Sequence, residues 1–415
     1  MEVVLPWKKE TIKVSVEDHR VLAVVEPNDL KAEAAASDLV LRALANPAGD
    51  TDFKTFLSRH DTLLVIVNDQ TRPTPTRKVL EAIAPMLDEI DTSFIIATGV
   101  HRGPTEEEYE QIFGRELFAK YRDKIHAHDA RKDEMVYLGT SRAGTEMYVN
   151  KRGVDAESVL VIGSVEPHYF AGYTGGRKGF LPGIASYKTI EQNHKHALNP
   201  EAKALNLEGN PVHEDMIDAL QVVKKDIFSI MTVLDKAHDI FAVTAGAIND
   251  SFYAAIDQAD QIFVADIPEK ADIVVTAAKY PMDIDLYQAQ KAIDNGKLAL
   301  RQGGIMILVA SCRDGIGEEA FAQLLSSSDT PEGVLATIKE GYKLGYHKAG
   351  KMAEVFLKGE VRAVSELEPD LVSSFFMKPE VNLQKAINSA LEEKGAEAKV
   401  LFLLDGSVTV PRPRK

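Results

Sequence analysis

The chain has 415 residues, 45% hydrophobic and 27% charged, a composition that excludes fibrous and disordered classes and is long enough for two or three domains. Its 48 Lys and Arg against 63 Asp and Glu leave a net charge of −15, which opposes a phosphate backbone and sets nucleic acid aside as a partner. The single cysteine, Cys312, excludes an internal disulfide and a zinc site built on two or more thiolates, and fits a reducing, cytoplasmic setting.

Along the chain, short β-branched runs alternate with helical patterns. The N-terminal MEVVLPWKKE has no basic region followed by an apolar run, so no secretory signal is expected. Strands are expected at Thr62–Val67, Ser93–Thr98 and Ser158–Gly163, with helices near Pro75–Leu87 and Thr105–Phe113. Further strands are expected at Ile273–Ala277, Gly304–Ala310 and Val400–Leu404. Continuous apolar strands between helices predict an α/β fold with mainly parallel sheets covered on both faces. None of the apolar runs approaches the ~20 residues of a membrane span, so no membrane association is expected. The polar segment Asp266–Asp272, after the strand-like Ile262–Ala265, predicts a boundary between an N-terminal domain of residues 1–266 and a C-terminal domain of residues 267–415.

Open α/β sheets carry their chemistry on loops beyond the carboxyl ends of strands. Three such loops here combine Asp, Arg or His with Gly and Pro: Asp69-Gln-Thr71-Arg72-Pro-Thr, Gly99-Val-His101-Arg-Gly-Pro-Thr and Ser164-Val-Glu-Pro-His168. The last runs into the densest stretch of the chain, Glu166 to Gly183, with five glycines, two prolines, His168, Arg177 and Lys178 in eighteen residues. Glycines permit φ > 0 and close approach of backbone to a ligand, and exposed N–H groups beside two cations suit an anion. The run is not a Walker A loop, because Gly176 is followed by Arg and Lys178 by Gly.

Other histidines admit more than one reading. His194 and His196 share a face only on a strand, and on a helix they diverge. His126 and His128 have the same spacing without a carboxylate pair, and His128-Asp129 is read as a turn cap. Gly315-Ile-Gly317 lies too far from its strand for a dinucleotide fingerprint and reads as a helix-entry loop. Gln288 and Lys291 lie three apart, on one helix face, where a helix N-terminus would help them hold a carboxylate or phosphate.

Taken together, these segments resemble the nickel-pincer nucleotide-dependent lactate racemase family. The carriers are Asp69-Gln-Thr-Arg-Pro-Thr, Gly99-Val-His-Arg-Gly-Pro-Thr, Pro167-His-Tyr-Phe-Ala-Gly-Tyr-Thr-Gly-Gly-Arg-Lys178, Pro182-Gly, Thr189-Ile-x-x-Asn-His194 and Leu286-Tyr-Gln-Ala-Gln-Lys291, in order over most of the chain. The resemblance implies a 2-hydroxyacid racemase or epimerase with its active site in an interdomain cleft. It implies a cofactor, the pyridinium-3-thioamide-5-thiocarboxylic acid mononucleotide holding nickel, tethered through a thioamide to Lys178 and supplied transiently by cofactor-biosynthesis proteins. It further implies His194 as the nickel ligand and His101 and His168 as the acid/base pair. Asp69, Thr71, Gly175, Gly176 and Arg177 are implied at the cofactor, and Arg72, Tyr287, Gln288 and Lys291 at the substrate.

The implied chemistry has a physical rationale. Removing a proton from carbon next to a carboxylate builds charge on charge, whereas removing hydride while a base takes the hydroxyl proton leaves a neutral ketone. One histidine on each side of the planar ketoacid then serves each hand. One departure bears on the substrate. Lactate-specific members carry a tryptophan late in the second domain, whereas the only tryptophan here is Trp7 and the corresponding segment reads Gly345-Tyr-His347-Lys-Ala349. A more polar or roomier pocket is expected, for a sugar acid, malate or an aryl lactate. Two other classes remain open on the residues alone: a metal-dependent hydrolase using His101, His126, His128 and His194, and a non-catalytic phosphate- or nucleotide-binding protein using the glycine-rich loop.

Overall fold

The computed structural model describes residues 1–414 and forms two compact units, Asp29–Ile262 and the chain from Phe263 onward together with Met1–Asn28. Each is built on a six-stranded sheet with helices between the strands.

In the first unit the sheet runs, edge to edge, Ile240–Ala247, Asp226–Leu234, Ser158–Ser164, Thr62–Asn68, Asp91–Ala97, Ile125–Ala127. All pairings are parallel except the outer one, where Ile240–Ala247 turns back antiparallel. The central strands Thr62–Asn68 and Ser158–Ser164 are apolar at nearly every position and buried, as expected where helices cover both faces of a parallel sheet. One face packs Val65, Val67, Phe94, Ile96, Leu160 and Ile162 against helical Val79, Leu80 and Ile83. Strand order reverses between Thr62–Asn68 and Ser158–Ser164: successive strands lie outward on one side of the first, and the later ones on the other. Such a reversal opens a crevice at the carboxyl ends of the two strands.

The second unit's sheet runs Met377–Glu380, Glu360–Val364, Leu300–Val309, Ala271–Ala277, Val400–Leu403, Val21–Val25, all parallel. Its last strand corrects the expectation that residues 1–266 form one domain. Val21–Val25 pairs with Val400–Leu403, and the antiparallel hairpin of Glu2–Trp7 and Glu10–Ser15 buries Val3, Leu5, Val14 and Val16 against the second core. The first 28 residues thus belong with the C-terminal sheet. The helix Ile248–Phe263 completes the first unit, and Val264–Ile267 already pairs with Val410–Pro413 of the second.

Candidate active site

The crevice of the first unit holds a small cavity of about 20 Å³, room for about one water, lined by Ile66–Asn68, Val161–Gly163, Gly175, Gly176, Lys178 and Gly179. The loops after its strands bring the expected residues to its surroundings. Asp69 ends the central strand, is buried, and accepts hydrogen bonds from the Thr71 hydroxyl (2.8 Å) and amide (3.3 Å) through Oδ1. Its Oδ2 lies 2.7 Å from Nδ1 of His101, which sits in the loop after the neighbouring strand. A buried carboxylate at that distance fixes the His101 hydrogen on Nδ1 and leaves Nε2 as the proton acceptor. Arg72 lies one turn beyond, its Nη1 3.6 Å from Glu166 Oε1. Behind this loop the Thr74 hydroxyl bridges Asn68 and Ser164, at 2.8 Å to each, joining the ends of the two central strands.

The glycine-rich segment folds as a short hairpin, Pro167–His168 with Gly172–Tyr173, followed by a 3-10 turn at Gly176–Gly179. Arg177 was expected to face a cofactor, and the structure corrects this. Its side chain is fully buried, with Nη2 donating to Ala171 O (2.8 Å), Nη1 to Gly175 O (3.2 Å) and Nε to His213 Nδ1 (3.0 Å), and the guanidinium lies 4.2 Å over the Phe252 ring. Five N–H donors in a rigid fork can satisfy several carbonyls at once, so Arg177 is the internal strut of the loop. Gly175 and Gly176 line the pocket, but their lack of side chains has an internal cause. Both have φ near +50° to +85° (83° and 53°), and a Cβ on Gly175 would fall 2.6 Å from Val165 Cγ2.

His168 is held in the hairpin, where the Ala171 amide donates to its Nδ1 (3.3 Å) and the ring stacks edge-on against Phe170 at 4.5 Å. The neutral ring therefore carries its hydrogen on Nε2, the complement of His101. The same Ala171 that bonds His168 through its amide accepts from Arg177 through its carbonyl, so the strut and the histidine share one residue.

Lys178 and His194 both lie against Phe170, Lys178 Nζ 5.6 Å from the ring and His194 5.1 Å between ring centres. Burial, and then the nearby Arg72 and Arg177 cations, hold the Lys178 ammonium well below its usual pKa. Burial, and then the Lys178 charge, push His194 down to about 3. His194 sits in the helix Tyr187–Lys195, started by the Ser186 cap. Helical geometry separates it from His196, whose Nε2 lies 3.5 Å from the Thr145 hydroxyl. The preceding residue, Asn193, is fully buried and donates to Asp215 Oδ2 (2.8 Å), anchoring this helix to the helix Pro211–Val223.

His126 and His128 form a separate structural group: His126 pairs with Asp133 at 2.7 Å, and buried His128 bonds Ala185 O and Asn150. Among the described residues no three His, Cys, Asp or Glu are grouped to hold a metal ion. The hydrolase reading thus lacks its ligand set. His213 is the residue that sequence reading missed. It is buried, accepts from Arg177, and is held at a pKa of about 3 by burial and by the Arg177 charge.

In the second unit, Tyr287, Gln288 and Lys291 occupy the first turns of the helix Leu286–Ala299, capped by Asp285, which accepts from the Gln288 amide at 2.7 Å. The preceding amides of Leu286 and Tyr287 donate to Gly315 O and Ile316 O, at 3.1 Å each. Gly315-Ile-Gly317 is therefore a loop seated on the helix start, and Gly317 has no room for a Cβ against Asp285 and Tyr287. With those N–H groups consumed, the helix end offers an anion its side chains rather than its backbone. His347 is buried, 2.9 Å from the Tyr342 hydroxyl.

These residues can be compared with known proteins. The lactate racemase N-terminal domain model matches residues 7–205 and the lactate racemase C-terminal domain model residues 267–410. The lactate racemase of Thermoanaerobacterium thermosaccharolyticum is 31% identical over 428 residues, with 99% of each chain covered. That of Lactiplantibacillus plantarum is 30% identical over 421 residues, with 97% of each covered. The solved lactate racemase apoprotein from T. thermosaccharolyticum superposes with a TM-score of 0.91 at 30% identity, over 99% of this chain and 100% of that one. A protein from Thermotoga maritima, with a TM-score of 0.65 and 16% identity over 94% of this chain and 100% of that one, shares the fold alone. Matches to both domain models and to full-length relatives show that this chain belongs to the lactate racemase family and is an isomerase.

Proposed function

We propose that the protein inverts C2 of a 2-hydroxyacid, using a nickel-pincer nucleotide tethered to Lys178 with His194 as the protein's nickel ligand. The observation that carries this reading is the pairing of Lys178 and His194 against Phe170, both held toward their uncharged forms. An uncharged amine is the nucleophilic form that a thioamide tether at Lys178 would require, and the tether would leave no charge beside Arg72 and Arg177. An uncharged imidazole is the form that binds a metal. Lys178 lies in the wall of the small cavity at the strand ends, which marks where such a group would be attached rather than the whole of its site. When bound, the group supplies the acceptor, and then the donor, of the hydride at C2.

The chain's own residues handle the proton. His101 Nε2, oriented by Asp69, takes the hydroxyl proton as the C2–H pair leaves, and the carboxylate of Asp69 stabilises the imidazolium that forms. His168 is proposed as the base of the other face, a role that requires its Nε2 to be free and so the Nδ1 bond from the Ala171 amide to be released. Arg72 on the first unit, and separately Gln288 and Lys291 on the second, are the groups proposed to answer the carboxylate, and a carboxylate so held keeps the flat ketoacid from leaving before hydride returns.

A panel of single-enantiomer 2-hydroxyacids with chiral product analysis on cofactor-loaded protein tests the reading. At least one acid is expected to racemise, with Lys178→Ala retaining the fold but losing both the covalent adduct mass and turnover. A Lys178→Ala protein that keeps the adduct, or loaded protein inactive on every acid, contradicts it.

A further inference from the structure

The mechanism above leaves one buried cation unused. Lys348 is the third residue of the helix Tyr346–Lys358 and is 8% exposed. Its Nζ donates to Tyr287 O at 3.0 Å and lies 3.2 Å over the Tyr287 ring. Those contacts supply one carbonyl and a π-face; among the described residues no carboxylate comes within ion-pairing distance of it. Asp285 and Glu318 are the acidic groups whose charge it feels, and Lys291 opposes it with a second positive charge. Burial followed by Lys291 pulls its proton affinity well down.

A buried lysine without a counter-ion is held toward its uncharged form, because the desolvated ammonium recovers little of what water gave it, and an arriving anion would restore the charge. This one also sits at the positive end of the helix Leu286–Ala299, beside a second lysine, where the helix dipole disfavours cations. Ordinary packing does not require such an arrangement: a Met of the same length would fill the space over Tyr287 without the charge. The missing component is an anion. One carboxylate of a 2-hydroxyacid is answered by Lys291 with Gln288 in the reading above. A second lysine close to Lys291 therefore offers a place for a second acidic group on the ligand, whose charge would restore the ammonium.

We propose that Lys348 is a specificity-determining residue that binds the distal carboxylate of a 2-hydroxydicarboxylic acid, alongside the carboxylate held by Lys291 and Gln288. This rests on the reading of Tyr287, Gln288 and Lys291 as the substrate's anion site, and it narrows the substrate to a diacid. Lysine rather than arginine suits the position, since a compact point charge reaches a carboxylate from above a tyrosine ring, whereas a planar fork would need room for two parallel bonds.

The test compares malate with 2-hydroxybutanoate, which has the same carbon count and lacks the second carboxylate. Binding to the full-length, cofactor-free chain is read by calorimetry, and kcat/KM by chiral analysis of the loaded enzyme. The wild type is expected to favour malate by about 10- to 100-fold, the range a charge-assisted contact provides. Lys348→Met and Lys348→Gln are expected to erase that preference by weakening malate while leaving 2-hydroxybutanoate within about 3-fold. Removing a buried amine that has no counter-ion leaves the fold intact or firmer, so circular dichroism and melting are expected to match or exceed the wild type. Equal or undetectable binding of the two acids, or a preference that survives both substitutions, overturns the proposal. A Lys348-dependent preference for malate without any turnover would leave the anion site standing and refute the racemase reading. Wild-type turnover of malate and 2-hydroxybutanoate at equal efficiency would do the reverse.

Discussion

Asp69→Asn isolates the part of the mechanism that the geometry describes most closely. Asp69 Oδ2 lies 2.7 Å from His101 Nδ1, while Oδ1 is committed to the hydroxyl and amide of Thr71. Asparagine has the same shape. Its carbonyl oxygen satisfies Thr71, which turns the NH₂ group toward His101. That NH₂ donates to Nδ1, so the ring must carry its own hydrogen on Nε2 and can no longer accept the hydroxyl proton. Loss of the charge-assisted bond alone costs about 1.5–3 kcal/mol, roughly 10- to 150-fold, and inversion of the tautomer raises the loss toward ~10⁴-fold, as in Ser-His-Asp triads. Stability is expected to change little, since the buried oxygen and its Thr71 bonds persist. Initial rates of enantiomer interconversion, measured with adduct mass and nickel content equal to wild type, read the effect. A loaded Asp69→Asn enzyme within about 3-fold of wild-type kcat would refute the assignment of His101 Nε2 as the base.

Arg177→Met is expected to cost about 3 kcal/mol or more by urea titration, because buried carbonyls of Ala171 and Gly175 and the ring of His213 lose their donor at once. A loss below about 1 kcal/mol would show the strut to be dispensable. Acid is expected to destabilise the first unit through His213: its folded pKa of about 3 lies below the ordinary ~6.5 of an unfolded histidine, so the unfolded chain gains the proton first as pH falls. The stability it contributes is complete above pH ~6.5 and declines toward pH ~3, by about 2 kcal/mol at pH ~5. His213→Gln, which keeps an acceptor for Arg177, is expected to flatten the urea midpoint between pH 7 and 5; an unchanged slope would contradict this. Gly175→Ala is expected to destabilise as well, given φ of 83° and Val165 Cγ2 at 2.6 Å from the new Cβ, with a melting temperature equal to wild type as the contrary result.

The parallel architecture was legible because Thr62–Asn68, Ser158–Ser164 and Ala271–Ala277 carry unbroken apolar runs at their centres, a pattern that double-sided burial explains. The loops were legible because Asp69, His101 and His168 follow strand ends directly. Membership of the second sheet was not legible for Val21–Val25, since a short valine-rich strand reads the same whichever sheet receives it. Arg177 misled for a related reason: a cation beside glycines looks like an anion site in sequence, and only its burial against Ala171 O, Gly175 O and His213 shows that the loop consumes it. His213 gave no signal of its own, and Lys348 gave only that of the segment Gly345–Ala349 in which the resemblance places it. One is an unremarked position on a helix and the other lies 61 residues from the tyrosine it covers, so their roles exist only once tertiary contacts do.

The central claim is that hydrogen leaves C2 as hydride and returns to the opposite face without exchanging with water. A 2-hydroxyacid turned over by the loaded enzyme, carrying deuterium at C2, tests it directly in ordinary water. The inverted product is expected to retain the deuterium at C2, by mass spectrometry of the separated enantiomers. Inverted product carrying solvent hydrogen in place of the label would contradict the account, because that is the outcome of proton abstraction by an exchangeable histidine.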